Sequence, residues 1–126
     1  MSKEDQFSKQ KYLNIETYRK NGEGVRTPVW FVQDGGFLYV ITSATSGKAK
    51  RIRNNGKVNV APCKMDGRLV GEWLPAQARE LADAEGNLRV NQLFDKKYGL
   101  LKKIFGLQRT GQAAENIMLE IKLTGK

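Results

Sequence analysis

The chain has 126 residues, 40% hydrophobic and 28% charged, which suits one globular domain and argues against wholesale disorder. It lacks a run of about 18 apolar residues, and its N-terminus, MSKEDQFSKQKY, is too polar for a signal peptide, so no membrane partner and a cytoplasmic location are expected. One cysteine, Cys63, and no histidine exclude an internal disulfide and a Cys/His metal site, while a net charge of +9 favours polyanions, acidic surfaces or phosphorylated small molecules.

Residues 1–126 read as a single domain whose first ten residues are a polar arm or short helix. Tyr12 to Tyr18 alternates as a strand, with Leu13, Ile15 and Thr17 on one face. Asn21-Gly22 makes a turn into Val25 to Val32, a run rich in β-branched and aromatic residues. Pro28 inside that run cannot donate a ladder hydrogen bond and marks an edge or a bulge. Asp34-Gly35-Gly36 turns the chain into Phe37 to Thr42, a continuous apolar strand. A short helix follows from Gly47 to Asn54, with Ser46 as N-cap and Asn55-Gly56 as its stop.

Val58 to Ala61 returns to the sheet, and Leu69 to Leu81 reads as a longer, interrupted strand bent at Pro75. Asp83 to Gly86 can cap a helix in which Val90, Leu93, Phe94, Lys97, Tyr98 and Leu101 share one face, continued by Ile104 and Phe105. Finally Ile117 to Leu123 alternates, with Met118, Glu120 and Lys122 expected to face outward. Six strands joined mostly by tight turns make an antiparallel sheet, which closes into a barrel to remove its edges.

One segment carries a chemical signal. Thr42-Ser43-Ala44-Thr45-Ser46 leaves a buried strand and enters a helix whose first turns are expected to hold Lys48, Lys50, Arg51 and Arg53. A helix N-terminus is already positive, so cations gathered there are awkward unless an anion neutralises them. Hydroxyls, free N–H groups and ammonium groups together suit a phosphate; a solvated helix in a basic protein is the plainer reading. The P-loop pattern fails, because Thr42 and Ala49 stand where it needs Gly and Ser/Thr. No catalytic side-chain constellation is evident. Asp83 and Glu85 fall in a loop, and Cys63 has no activating neighbour in sequence.

Three segments, Arg26-Thr27-Pro28-Val29-Trp30-Phe31, Phe37-Leu38-Tyr39-Val40-Ile41-Thr42 and Ser46-Gly47-Lys48-Ala49-Lys50-Arg51-Ile52, resemble the pyridoxamine 5′-phosphate oxidase-like split-barrel superfamily of FMN-binding proteins. Val58 to Cys63 and Lys97-Tyr98-Gly99-Leu100-Leu101 resemble its branch of enzymes dependent on the deazaflavin coenzyme F420. The resemblance implies a mainly β (α+β), six-stranded antiparallel split barrel with short flanking helices, working as a homodimer. It also implies a hydride-transferring oxidoreductase with FMN or F420 as cofactor and a small organic molecule as substrate.

On that resemblance Thr27, Pro28, Val29 and Trp30 lie along the ring, with Trp30 either a stacking surface or core. Thr42, Ser43, Ser46 and Lys48, with Lys50 or Arg51, hold the phosphate, and Trp73 of the partner chain is a possible wall. Flavin oxidases of this type carry Arg where this chain has Thr27 and Gly47, and the pocket residues for pyridoxamine phosphate are not recognisable. Two further readings stand beside this one: a split barrel that binds or sequesters flavin or haem without turnover, and, last, a nucleic-acid-binding barrel using the net charge with Tyr12, Tyr18 and Tyr39.

Overall fold

The computed structural model describes residues 3–104 and 116–124. A 3-10 turn, Lys3–Phe7, precedes strands β1 (Tyr12–Tyr18), β2 (Gly24–Trp30), β3 (Val32–Asp34) and β4 (Phe37–Ser43). Helix α1 (Gly47–Asn54), β5 (Lys57–Cys63), β6 (Leu74–Glu80), the long helix α2 (Ala84–Ile104) and β7 (Asn116–Leu123) complete it. Every ladder is antiparallel, in the order β2-β1-β5-β6-β7-β4-β3.

The two edge strands of this sheet are neighbours in the chain, separated by Phe31 alone. One stretch of backbone therefore pairs with β1 through its first half and with β4 through its second, and the sheet closes on itself. This explains why seven strands stand where the sequence pattern gives six: the run from Val25 to Val32 breaks at Phe31. The Phe31 N–H donates to Tyr98 Oη at 3.1 Å, and its carbonyl accepts from Tyr98 Oη at 2.5 Å and Lys97 Nζ at 2.9 Å. Side chains of α2 thus satisfy the polar groups that a ladder would otherwise take.

Inside the barrel Leu13, Ile15, Val40, Val60, Leu119 and Ile121 are at most 1% exposed. Each such side chain contributes roughly 1.5–3 kcal/mol by leaving water. The ends are closed by short elements. Ile52 of α1 joins the core cluster, and so does Phe7, which meets Phe31 edge-on at 5.8 Å. The N-terminal arm is therefore a docked turn with a buried anchor. On the outside, Val90, Phe94 and Tyr98 of α2 pack with Val32, Tyr39 and Met118 in a second cluster.

Two sequence expectations change, and a third falls outside the described residues. Met118 is buried because α2 covers the outer face of β7 at that point. The strand expected from Leu69 starts at Leu74; before it Leu69 makes only an isolated bridge to Cys63, and Pro75 lies inside β6 opposite Asn59. Phe105, expected to extend α2, lies outside the described residues. None of the described helices is long and apolar enough to cross a membrane.

Candidate functional site: hydroxyls and cations at the start of α1

β4 ends at Ser43, and the chain turns through Ala44 and Thr45 into α1. Ser46 caps the helix, its Oγ accepting from the Ala49 N–H at 3.1 Å. The same Oγ lies 3.1 Å from Thr42 Oγ1, and Ser43 Oγ lies 3.2 Å from Thr45 Oγ1. Four hydroxyls thus line the entry to the helix, with Thr42 buried. No acceptor for the N–H groups of Gly47 or Lys48 is present among the described residues.

The cations divide. Arg51 and Arg53 fall in the last turn of α1, where the helix dipole favours positive charge, so the electrostatic conflict of the first turn concerns Lys48 and Lys50. Arg53 pairs with Glu80 at 3.2 Å and donates to the Ala44 carbonyl at 2.9 Å, and Lys50 is exposed. Arg51 reaches back toward the helix start, as long helical side chains do. Its Nη1 lies 2.7 Å from where a Cβ on Gly47 would stand, and its Nε donates to Thr17 Oγ1 at 2.7 Å.

Arg19, Arg26, Arg53, Arg68, Arg79 and Arg89 each pair with a carboxylate. Arg51 instead meets a hydroxyl and other cations. Burial and then the Arg19 charge press its guanidinium below its ordinary value. Burial and then Arg51 do the same to the half-buried Lys48 ammonium. Two desolvated cations beside hydroxyls and first-turn N–H groups form a cradle for an oxyanion, and the donor set fits a phosphate.

The other site residues expected from sequence lie along β2 and near β6. The register puts Thr27 opposite Ile15 and Val29 opposite Leu13, on the barrel's inner face. Pro28 and Trp30 stand on the outer face, opposite Asn14 and Tyr12. Trp30 stacks on Tyr98 with ring centres 4.4 Å apart and planes 9° from parallel, so one face of the indole is taken. The Trp73 ring lies beneath the Arg26 guanidinium at 5.0 Å within the same chain. The structure therefore brings Thr42, Ser43, Ser46, Lys48 and Arg51 together. It places Thr27, Pro28, Val29 and Trp30 along one edge strand, and Trp73 beside Arg26.

Sequence reasoning missed three residues, two of them at the α1 site. Thr17 and Arg19 reach the α1 cluster from the end of β1 and the turn after it. Glu16, the third residue missed, gathers a cluster of its own: Arg26 Nε donates to it at 3.0 Å, Tyr18 Oη at 2.9 Å and Asn59 Nδ2 at 3.2 Å. Burial alone would raise the Glu16 carboxyl, but these hydrogen bonds and the Arg26 charge outweigh it and hold it below its ordinary value. Strand alternation marked Glu16 as outward; only the sheet register reveals Arg26, Tyr18 and Asn59 around it. Beneath the segment after β5, Asn14 donates to the Gly67 carbonyl at 3.1 Å, while its buried Oδ1 has no partner. Cys63 is inert by environment: burial, then Asp66, pushes its thiol up to about 11. No group of three or more metal-ligating side chains occurs among the described residues.

No protein-family model matches the chain, and no curated protein does. Solved structures do. The haem storage protein HutZ of Vibrio cholerae aligns with a TM-score of 0.74 at 16% identity, over 98% of this chain and 88% of that one. A Listeria innocua protein assigned as a pyridoxamine 5′-phosphate oxidase aligns at 0.68 and 14% identity, over 93% and 86%. An F420 reductase aligns at 0.62 and 17% identity, over 99% and 95%. The chain has the split-barrel fold of these proteins.

Proposed function

We propose that the chain is a homodimeric oxidoreductase that binds FMN or F420 by the cofactor's phosphate at the start of α1. The observation that carries this reading is the pairing of Lys48 and Arg51. They are two partly desolvated cations that repel each other beside the hydroxyls of Thr17, Thr42 and Ser46, and neither pairs with a carboxylate among the described residues. An anion relieves that repulsion. Arg51 also places a guanidinium against the backbone of Gly47, so a cation reaches that spot from one turn further on.

Once bound, either cofactor supplies a ring that exchanges a hydride with a small substrate, which removes the need for a histidine base. The chain's own residues do the rest. Lys48 and Arg51 neutralise the phosphate, and Thr42, Ser43 and Ser46 orient it. Lys50, exposed beside them, adds to the local field. β2, hydrogen-bonded on one side only, offers the main chain of Thr27 to Trp30 to the polar edge of the ring. A second copy closes the other side with Trp73 and excludes water. Met65, Leu69 and Val70, 67, 40 and 43% exposed, supply apolar surface for that contact. Two equivalent sites then share one two-fold interface.

The likeness to a haem storage protein supports a second reading, a binder without turnover. Against haem, the chain has no histidine, the commonest proximal ligand in haem proteins, and its only thiol is buried and hard to ionise. Reconstitution separates the two. The cofactor-free chain is expected to be inactive toward a panel of quinones, enones and tetrapyrroles, and the chain loaded with FMN or F420 to reduce at least one of them. Turnover without cofactor would refute the assignment, and tight binding with no turnover of any acceptor would favour the binder.

A further inference from the structure

A second group of cations lies at the other end of the barrel. Arg51 meets β1 at Thr17, near its last residue, whereas Tyr98 Oη lies 2.7 Å from the carbonyl oxygen of Lys11, just before its first. At roughly 3.3 Å per residue the length of β1 separates these ends by about 20 Å. At the Lys11 end an open cleft of about 350 Å³ has Phe7, Val32 and Leu93 as its apolar lining and Lys9, Lys96 and Lys97 as its cations. Among the described residues that line it there is no carboxylate. Its volume is at the small end of the roughly 300–1,000 Å³ typical of ligand sites.

Two of these lysines are held in unusual ways. Lysine ammonium groups ordinarily reach for water. Lys97 is exposed over much of its surface, yet its ammonium sits 3.9 Å above the Phe31 ring and donates to the Phe31 carbonyl. That uses one of three donors. Lys9 is the only described non-glycine residue with positive φ, at 67°, a conformation that L-residues seldom adopt and that strained binding sites often contain. Burial, then the Lys11 charge, lowers the Lys97 ammonium to about 8.

We infer that this cleft is a second ligand site, for a small amphiphile that carries an oxyanion, carboxylate or phosphate, on an apolar body. The apolar lining takes the body, and the ammonium groups of Lys9, Lys96 and Lys97 take the oxyanion. The inference is independent of what binds at α1, and its ligand sits beside Phe31, the residue at which the barrel closes.

The full chain, free of cofactor, is titrated by calorimetry with decanoate, decyl phosphate and decanol. At least one of the two anions is expected to bind one per chain, about tenfold or more tighter than decanol. Lys9→Gln and Lys96→Gln, which leave the Lys97 contact with Phe31 intact, are each expected to weaken that anion about three- to tenfold. Lys48→Ala is expected to leave it unchanged. Equal binding of decanol, no binding of either anion at millimolar concentration, or indifference to both lysine substitutions would overturn the inference. The same preference for anion over alcohol in Lys48→Ala, in which the α1 cradle is weakened, decides it even where a cleft variant fails to fold.

Discussion

Tyr98 Oη makes contact with three main-chain groups, the N–H and carbonyl of Phe31 and the carbonyl of Lys11. The side chain is fully buried, and its ring also stacks on Trp30 and Phe94. Burial, acting first, pushes the phenol well above its ordinary value, so the hydroxyl keeps its proton and can serve as donor and acceptor together. Tyr98→Phe keeps the ring and removes only the oxygen, leaving the buried Phe31 N–H without an acceptor. The expected loss is about 1–3 kcal/mol of unfolding free energy in urea denaturation. An unchanged midpoint would show that the strand break at Phe31 does not depend on this contact. Nothing in the sequence pattern near residue 98 reveals this role. Helical spacing marks Tyr98 as buried, but the hydroxyl's partners lie 67 and 87 positions away.

Local elements were more legible than their surroundings. β1, β4 and α1 follow directly from alternation, from β-branched and aromatic content, and from Ser46 as a cap, because short-range physics decides them. Met118 defied alternation because a sheet face is polar only where nothing packs on it, and α2 packs there. The hydroxyl and lysine half of the candidate site is contiguous in sequence and could be read from Thr42 to Lys48. Its other half arrives from β1 and from the backward reach of Arg51, and both depend on register and rotamer. Gly47 sits where these halves meet. In Gly47→Ala the new Cβ must displace the Arg51 guanidinium, a flexible group, while alanine suits a helix better than glycine. Stability is therefore expected to hold or rise by a few tenths of a kcal/mol, while FMN affinity falls about tenfold. Unchanged affinity in a fluorescence titration would remove Arg51's backward reach from the binding site.

At the scale of the molecule, the excess of cations is spread over the surface, and a net charge of +9 by itself attracts any polyanion. Many arginines are already paired with carboxylates, and those pairs are largely exposed, so they say little about function. The proposed function requires more than general attraction: a phosphate bound at one place, where β4 delivers hydroxyls and α1 delivers its first N–H groups. The most direct measurement is an equilibrium fluorescence titration of FMN and of F420 into the unmodified chain, Lys48→Ala and Lys122→Ala at about 0.15 M salt, where distant charges are screened. Lys122 is an exposed lysine on β7 with the same charge and no hydroxyl cluster around it. Lys48→Ala is expected to weaken binding about ten- to a hundredfold, the loss of one charge-assisted hydrogen bond of roughly 1.5–3 kcal/mol, and Lys122→Ala to change it by less than about twofold. Equal losses in the two variants, or no binding of either cofactor to the unmodified chain, would contradict the account.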